Sequence, residues 1–91
     1  MKQKKSITPV KLEFGDAVVI DWVDIHNDEG GWKPLSEVSV KPAKMKSLGY
    51  WVGEMDDHYV LSADLGDDGA TNTRMFFPKG CVSSMKRVKR G

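Results

Sequence analysis

Phe76-Phe77-Pro78-Lys79-Gly80-Cys81-Val82 is the stretch that decides how this chain is read. Two aromatic residues end an extended run, a proline and a glycine break it, and a β-branched residue opens another. A single-turn kink of this kind lets a last short strand cross from one sheet to the other. It therefore predicts a small, strongly bent sheet that closes on itself.

Upstream of the kink, 71–77 reads as a strand, and Gly66-Asp67-Asp68-Gly69 before it is the strongest hairpin signal in the chain. Its partner is 58–65, where Tyr59, Leu61, Ala63 and Leu65 alternate with His58, Val60, Ser62 and Asp64. Met55-Asp56-Asp57 is a short turn. The run 44–54 before it carries Leu48-Gly49-Tyr50-Trp51-Val52-Gly53. Two glycines inside a strand predict a bend, a bulge or the close approach of another backbone. Further upstream, Asn27-Asp28-Glu29-Gly30-Gly31 and Pro42 bracket a long connection with room for one helical turn at 36–38. The first strand, 17–26, is β-branched and aromatic without helical spacing. On it Val18, Ile20, Trp22, Asp24 and His26 share one face, and Val19, Asp21, Val23 and Ile25 the other.

The expected architecture is mainly β: a five-stranded, strongly bent barrel with a long first loop. This is the layout of SH3-like barrels and of their Sm-like relatives. With 91 residues there is room for one domain. We place it at 13–88, between a basic lead-in at 1–12 and a basic tail at 89–91. The single cysteine, Cys81, excludes an intramolecular disulfide. No apolar run follows the charged N-terminus, and no stretch reaches the roughly 18 apolar residues of a membrane span. The expected compartment is the cytoplasm of a bacterial host cell.

The formal net charge is +1, but the charges are segregated. Four lysines and no acid precede Glu13, and thirteen acids face four lysines between Glu13 and Asp68. Six basic residues and no acid follow. An acidic body with basic ends is a clue to partners.

Two groups of residues carry a resemblance. The first is Val19-Ile20-Asp21-Trp22-Val23-Asp24-Ile25-His26 with Gly31-Trp32 and Leu35. The second is Pro42-Ala43, Ser47-Leu48-Gly49-Tyr50 and Phe77-Pro78-Lys79-Gly80-Cys81-Val82. Together they resemble a family of small, uncharacterised proteins of tailed bacteriophages, over roughly residues 16–88. The resemblance implies a phage or prophage origin and no particular activity. At the level of fold, Lys79-Gly80, Val82 and Met85 are similar to the last-strand pattern of Sm-like RNA-binding proteins, with one residue fewer between the glycine and the valine.

No catalytic set is assembled in the sequence. Asp24 and His26 share a strand face and offer a carboxylate beside an imidazole, with His58 near Asp56 and Asp57 as a distant complement. Their plainer reading is a solvated strand end. Cys81 has no neighbouring histidine to activate it and is expected to pack at the start of the last strand. We expect no cofactor, no metal and no enzymatic activity. The aromatic residues exceed what so small a core easily holds. Trp22, Trp32, Tyr50 and Trp51, with His26, are the candidates for binding a protein or a ligand. One of the adjacent pair Tyr50 and Trp51 should face outward. Arg74, Lys79, Lys86, Arg87, Lys89 and Arg90 are the candidates for binding nucleic acid.

The leading expectation is a binding module, a phage accessory protein that engages a host or phage protein. RNA binding through the basic ends and capture of a small ligand by a homo-oligomer are the rivals.

Overall fold

The computed structural model describes residues 11–25, 30–38 and 41–88. Five strands make up the fold: β1 (Ala17–Asp24), β2 (Ala43–Glu54), β3 (His58–Leu65), β4 (Thr71–Pro78) and β5 (Val82–Arg87). Single 3-10 turns lie at Leu35–Glu37 and Lys79–Cys81, and no α-helix occurs among the described residues. All neighbours are antiparallel, in one sheet of order β4-β3-β2-β1-β5.

The expectation of a β fold with a long first loop and a one-turn break before β5 is met. The expected closure is not: β4 and β5 stay unpaired edges, so the hydrogen-bonded ladder is an open sheet. That sheet is nonetheless strongly curled. Trp22 on β1 and Phe77 on β4 stand edge to face with ring centroids 5.7 Å apart. Laid flat, β1 and β4 would be three strand spacings apart, roughly 14 Å. Side chains from the edge strand β4 and from β1, three strands away, meet because the sheet wraps around them.

The wrap is set by β2, the longest strand. Its first half pairs with β1, from Ala43 opposite Asp24 to Tyr50 opposite Ala17. Its second half pairs with β3, from Tyr50 opposite Ser62 to Glu54 opposite Tyr59. The changeover falls among the residues from Gly49 to Gly53. A Cβ on Gly49 would lie 3.0 Å from the Leu61 Cβ and 3.1 Å from the Ser62 carbonyl oxygen, so this glycine permits the close approach of β3. The register shifts between Trp51 and Gly53, a bulge that adds to the bend.

Inside the curl lie Val18, Ile20, Trp51, Tyr59, Leu61, Phe77, Val82 and Met85, with Leu12, Trp22 and Met75 packed against them. Val18 and Ile20 alternate with the half-buried Val19 and Asp21, as the period of two requires. β3 departs from the expected alternation: Tyr59, Val60, Leu61 and Ser62 are all buried. Tyr59 and Leu61 belong to the inner core, whereas Val60 and Ser62 lie on the outer face between Phe76 and Arg74 of β4 and the facing residues of β2.

Strand ends follow local hydrogen bonding. β1 stops at Asp24, two residues short of expectation, where the Asp24 carboxylate accepts the Ile25 N–H at 2.8 Å and removes that donor from the ladder. In the β3–β4 turn the Gly66 N–H donates to the Ala70 carbonyl and the Gly69 N–H to the Gly66 carbonyl, with Gly69 at φ +86. β5 begins at Val82, because Lys79–Cys81 turns back on itself and the Val82 N–H donates to the Lys79 carbonyl. Beyond the β3–β4 turn, Thr73 holds φ +56, a region that β-branched residues avoid. The buried Ser62 hydroxyl bridges the irregular ladder there, accepting the Asn72 N–H at 3.0 Å and lying 2.9 Å from its carbonyl.

Candidate interaction surfaces

The sequence candidates fall into three environments. Trp51 is a core residue and not a binding residue, since the β2 bend turns it inward against Tyr59. Trp22 is partly buried against Phe77, and its indole N–H donates to the Ser47 hydroxyl at 2.9 Å, which satisfies the one polar group of the ring. Tyr50 is the outward member of the adjacent pair, at 38% exposure. Trp32 is fully exposed in the β1–β2 connection. His26 lies outside the described residues.

The basic candidates are dispersed as well. Lys79 is not a surface cation: its side chain is 6% exposed, and its Nζ sits 2.7 Å from Glu54 Oε2 and 5.4 Å from the centre of the Tyr59 ring. Its backbone N–H donates to the Asp57 carbonyl at 2.9 Å. Lys79 thus clamps the turn before β5 to the end of β2 and the β2–β3 turn. Arg87 faces Asp16 at 3.6 Å. Arg74 donates to the Thr71 carbonyl and hydroxyl. It lies on β4, at the opposite edge of the sheet from Lys86 on β5. Lys89 and Arg90 lie outside the described residues.

Of the residues proposed for a carboxylate–imidazole site, His26 lies outside the described residues, and Asp24 and His58 are not brought together. Asp24 pairs with Ala43 at the start of β2, whereas His58 lies beyond its far end, with Nδ1 2.6 Å from Asp57 Oδ1. Among the described residues no three His, Cys, Asp or Glu side chains form a metal-binding group. Cys81, expected to pack, is exposed instead, because the Lys79–Cys81 turn holds it outside the ladder and Val82 takes the core position.

Two surfaces stand out. The first is the β1–β2 connection, where Ile25, Trp32 and Leu35 are each more than four-fifths exposed. Burying a side chain of this kind is worth roughly 1.5–3 kcal/mol, and the fold leaves all three in water. The sequence signal for them was the aromatic surplus, which pointed to Trp32 but not to its aliphatic neighbours.

The second is the convex, outer face of the sheet, which sequence reasoning did not single out. Successive ladder rows place Phe76 opposite Val60, Arg74 opposite Ser62, and Ser62 opposite Tyr50. On the other half Leu48 and Lys86 flank Val19, Lys46 and Ser84 flank Asp21, and Lys44 lies opposite Val23. Val60 is the one buried apolar residue among those described that lies outside the inner core. Leu48, Tyr50 and Phe76 are exposed. Asp21 anchors the middle: the Ser84 hydroxyl donates to it at 2.7 Å and Lys46 Nζ lies at 3.2 Å. The Ser84 hydrogen bond, then Lys46, holds its carboxyl below the ordinary 3.8.

Comparison with protein-family models finds no match, and neither curated proteins nor solved structures give one. No helix among the described residues is long and apolar enough to cross a membrane.

Proposed function

We propose that this chain is a non-enzymatic binding module that engages a protein partner through the β1–β2 connection. The exposure of Ile25, Trp32 and Leu35 carries this reading. Exposed aromatic and aliphatic side chains of this size are the kind that serve as anchors when a partner buries them. The same reading takes the curled sheet as a small SH3-like barrel. Its strand order, the single turn before β5 and the Trp22–Phe77 contact across the curl support that. In such a barrel the long first loop borders the peptide-binding surface. A phage or prophage accessory role in the host cytoplasm is part of this proposal and rests on the resemblance of residues 16–88 to small tailed-bacteriophage proteins.

The double substitution Trp32→Ala and Leu35→Ala tests this. Both sites are exposed, so the unfolding free energy should change by no more than about 0.5 kcal/mol. The parent chain, immobilised and exposed to lysates of infected and uninfected bacterial cells, should retain a defined protein. The variant should lose it. Equal retention by both chains, or no protein retained by either, overturns the proposal.

A further inference from the structure

The geometry points to the outer sheet face as a binding surface for single-stranded nucleic acid, distinct from the β1–β2 connection. Four basic side chains share this face: Lys44 and Lys46 on β2, Arg74 on β4 and Lys86 on β5. The acids on it are Asp21, already engaged by Lys46 and Ser84, and Asp64 at the margin beyond Thr73. Most of the acids that make the body negative in sequence lie elsewhere. Asp56 and Asp57 are in the β2–β3 turn, Asp67 and Asp68 in the β3–β4 turn, and Glu37 is in the long connection. Folding therefore exposes a basic face on a chain whose middle is acidic.

Aromatic and apolar side chains are interleaved with those charges. Tyr50 stands in the row of Arg74 and Ser62, and Leu48 in the row of Lys86 and Val19. Phe76 is more than half exposed, one row from Arg74 on the same face of β4. A charged backbone tracking lysines while unpaired bases stack on exposed rings is the physics of single-strand binding. A duplex keeps its bases stacked on each other, so rings on an open sheet favour the single strand. Five strands span four spacings, roughly 19 Å if flat, enough for only a few nucleotides. Charge complementarity alone would equally suit an acidic protein or a second copy of the chain. The exposed rings select nucleic acid.

The test uses the full chain and fluorescent oligothymidylate and oligouridylate of about ten nucleotides, followed by anisotropy at about 50 mM salt. Binding should weaken as salt rises. In Lys44→Gln with Lys86→Gln the salt slope should fall by about 0.7 for each lysine removed. Tyr50→Ala and Phe76→Ala should each weaken binding about fivefold or more, whereas Tyr50→Phe and Phe76→Tyr retain it. The conservative pair keeps the test decisive if an alanine variant unfolds. Trp32→Ala should bind the oligonucleotide like the parent, which separates this proposal from the protein-binding one. No binding at low salt overturns it. So does competition by polyglutamate as strong as by oligonucleotide, or insensitivity to both ring substitutions, since either leaves charge alone or another occupant.

Discussion

At Gly49 a single added methyl group meets three atoms at once: Leu61 Cβ at 3.0 Å, the Ser62 carbonyl oxygen at 3.1 Å and Met75 Cε at 3.2 Å. Two of these belong to the buried stretch of β3 and cannot give way cheaply. Gly49→Ala should cost about 1–3 kcal/mol, the usual penalty for overpacking. Gly53 sits four residues along the same strand, with nothing within 4 Å of its would-be Cβ. Gly53→Ala should be neutral or stabilising by up to about 1 kcal/mol. Denaturant unfolding of both variants checks the pair, and equal penalties would contradict the assignment of Gly49 as the site of close approach. Both glycines were legible in the sequence as places of bend, bulge or approach. Which did which was not, because the answer depends on the distance to β3.

At the scale of the element, the Lys79–Cys81 turn behaves as a fastened hinge. The Pro78-Lys79-Gly80 signal made a break before β5 legible. It did not reveal that the lysine of that break reaches the end of β2, since Glu54 lies 25 residues away in sequence. The ammonium, nearly buried, is offset by Glu54 and by the Tyr59 ring. Lys79→Met keeps the aliphatic stem but removes the ammonium that faces the one-third exposed Glu54 and the Tyr59 ring. It should destabilise the fold by about 1–3 kcal/mol, discounted from a fully buried pair. The same variant should leave the salt slope of any nucleic-acid binding unchanged. A shift in that slope would restore Lys79 as a surface contact.

For the whole molecule, Asp21 joins three strands, β1 through its backbone, β2 through Lys46 and β5 through Ser84. Its folded pKa lies below the ordinary 3.8. The unfolded chain therefore binds the proton more readily. The stabilisation is fully present above the unfolded value and is lost as pH falls through the folded one. Acidification below about pH 4 should lower the denaturant midpoint, and Asp21→Asn should flatten that acid limb. An unchanged acid limb in the variant would remove Asp21 as its source. Charge segregation behaves similarly at this scale. In sequence it reads as acidic body and basic ends, but the curl puts several acids in turns and lysines from β2 and β5 on one face.

Alternation and turn chemistry are local, so the sequence by itself determined that the chain is mainly β. It also determined where five strands fall, that β2 bends, and that a single turn precedes the last strand. The shared face of Val18 and Ile20 and the outward place of either Tyr50 or Trp51 were readable for the same reason. Only the tertiary structure decided that Trp51 is the inward member, that Cys81 is exposed and that Lys79 is a clamp. It also decided that the hydrogen-bonded ladder stays open while β1 and the edge strand β4 touch through Trp22 and Phe77. Each of these depends on which residues meet across the curl, and that follows from the whole path of the chain and not from any window of it.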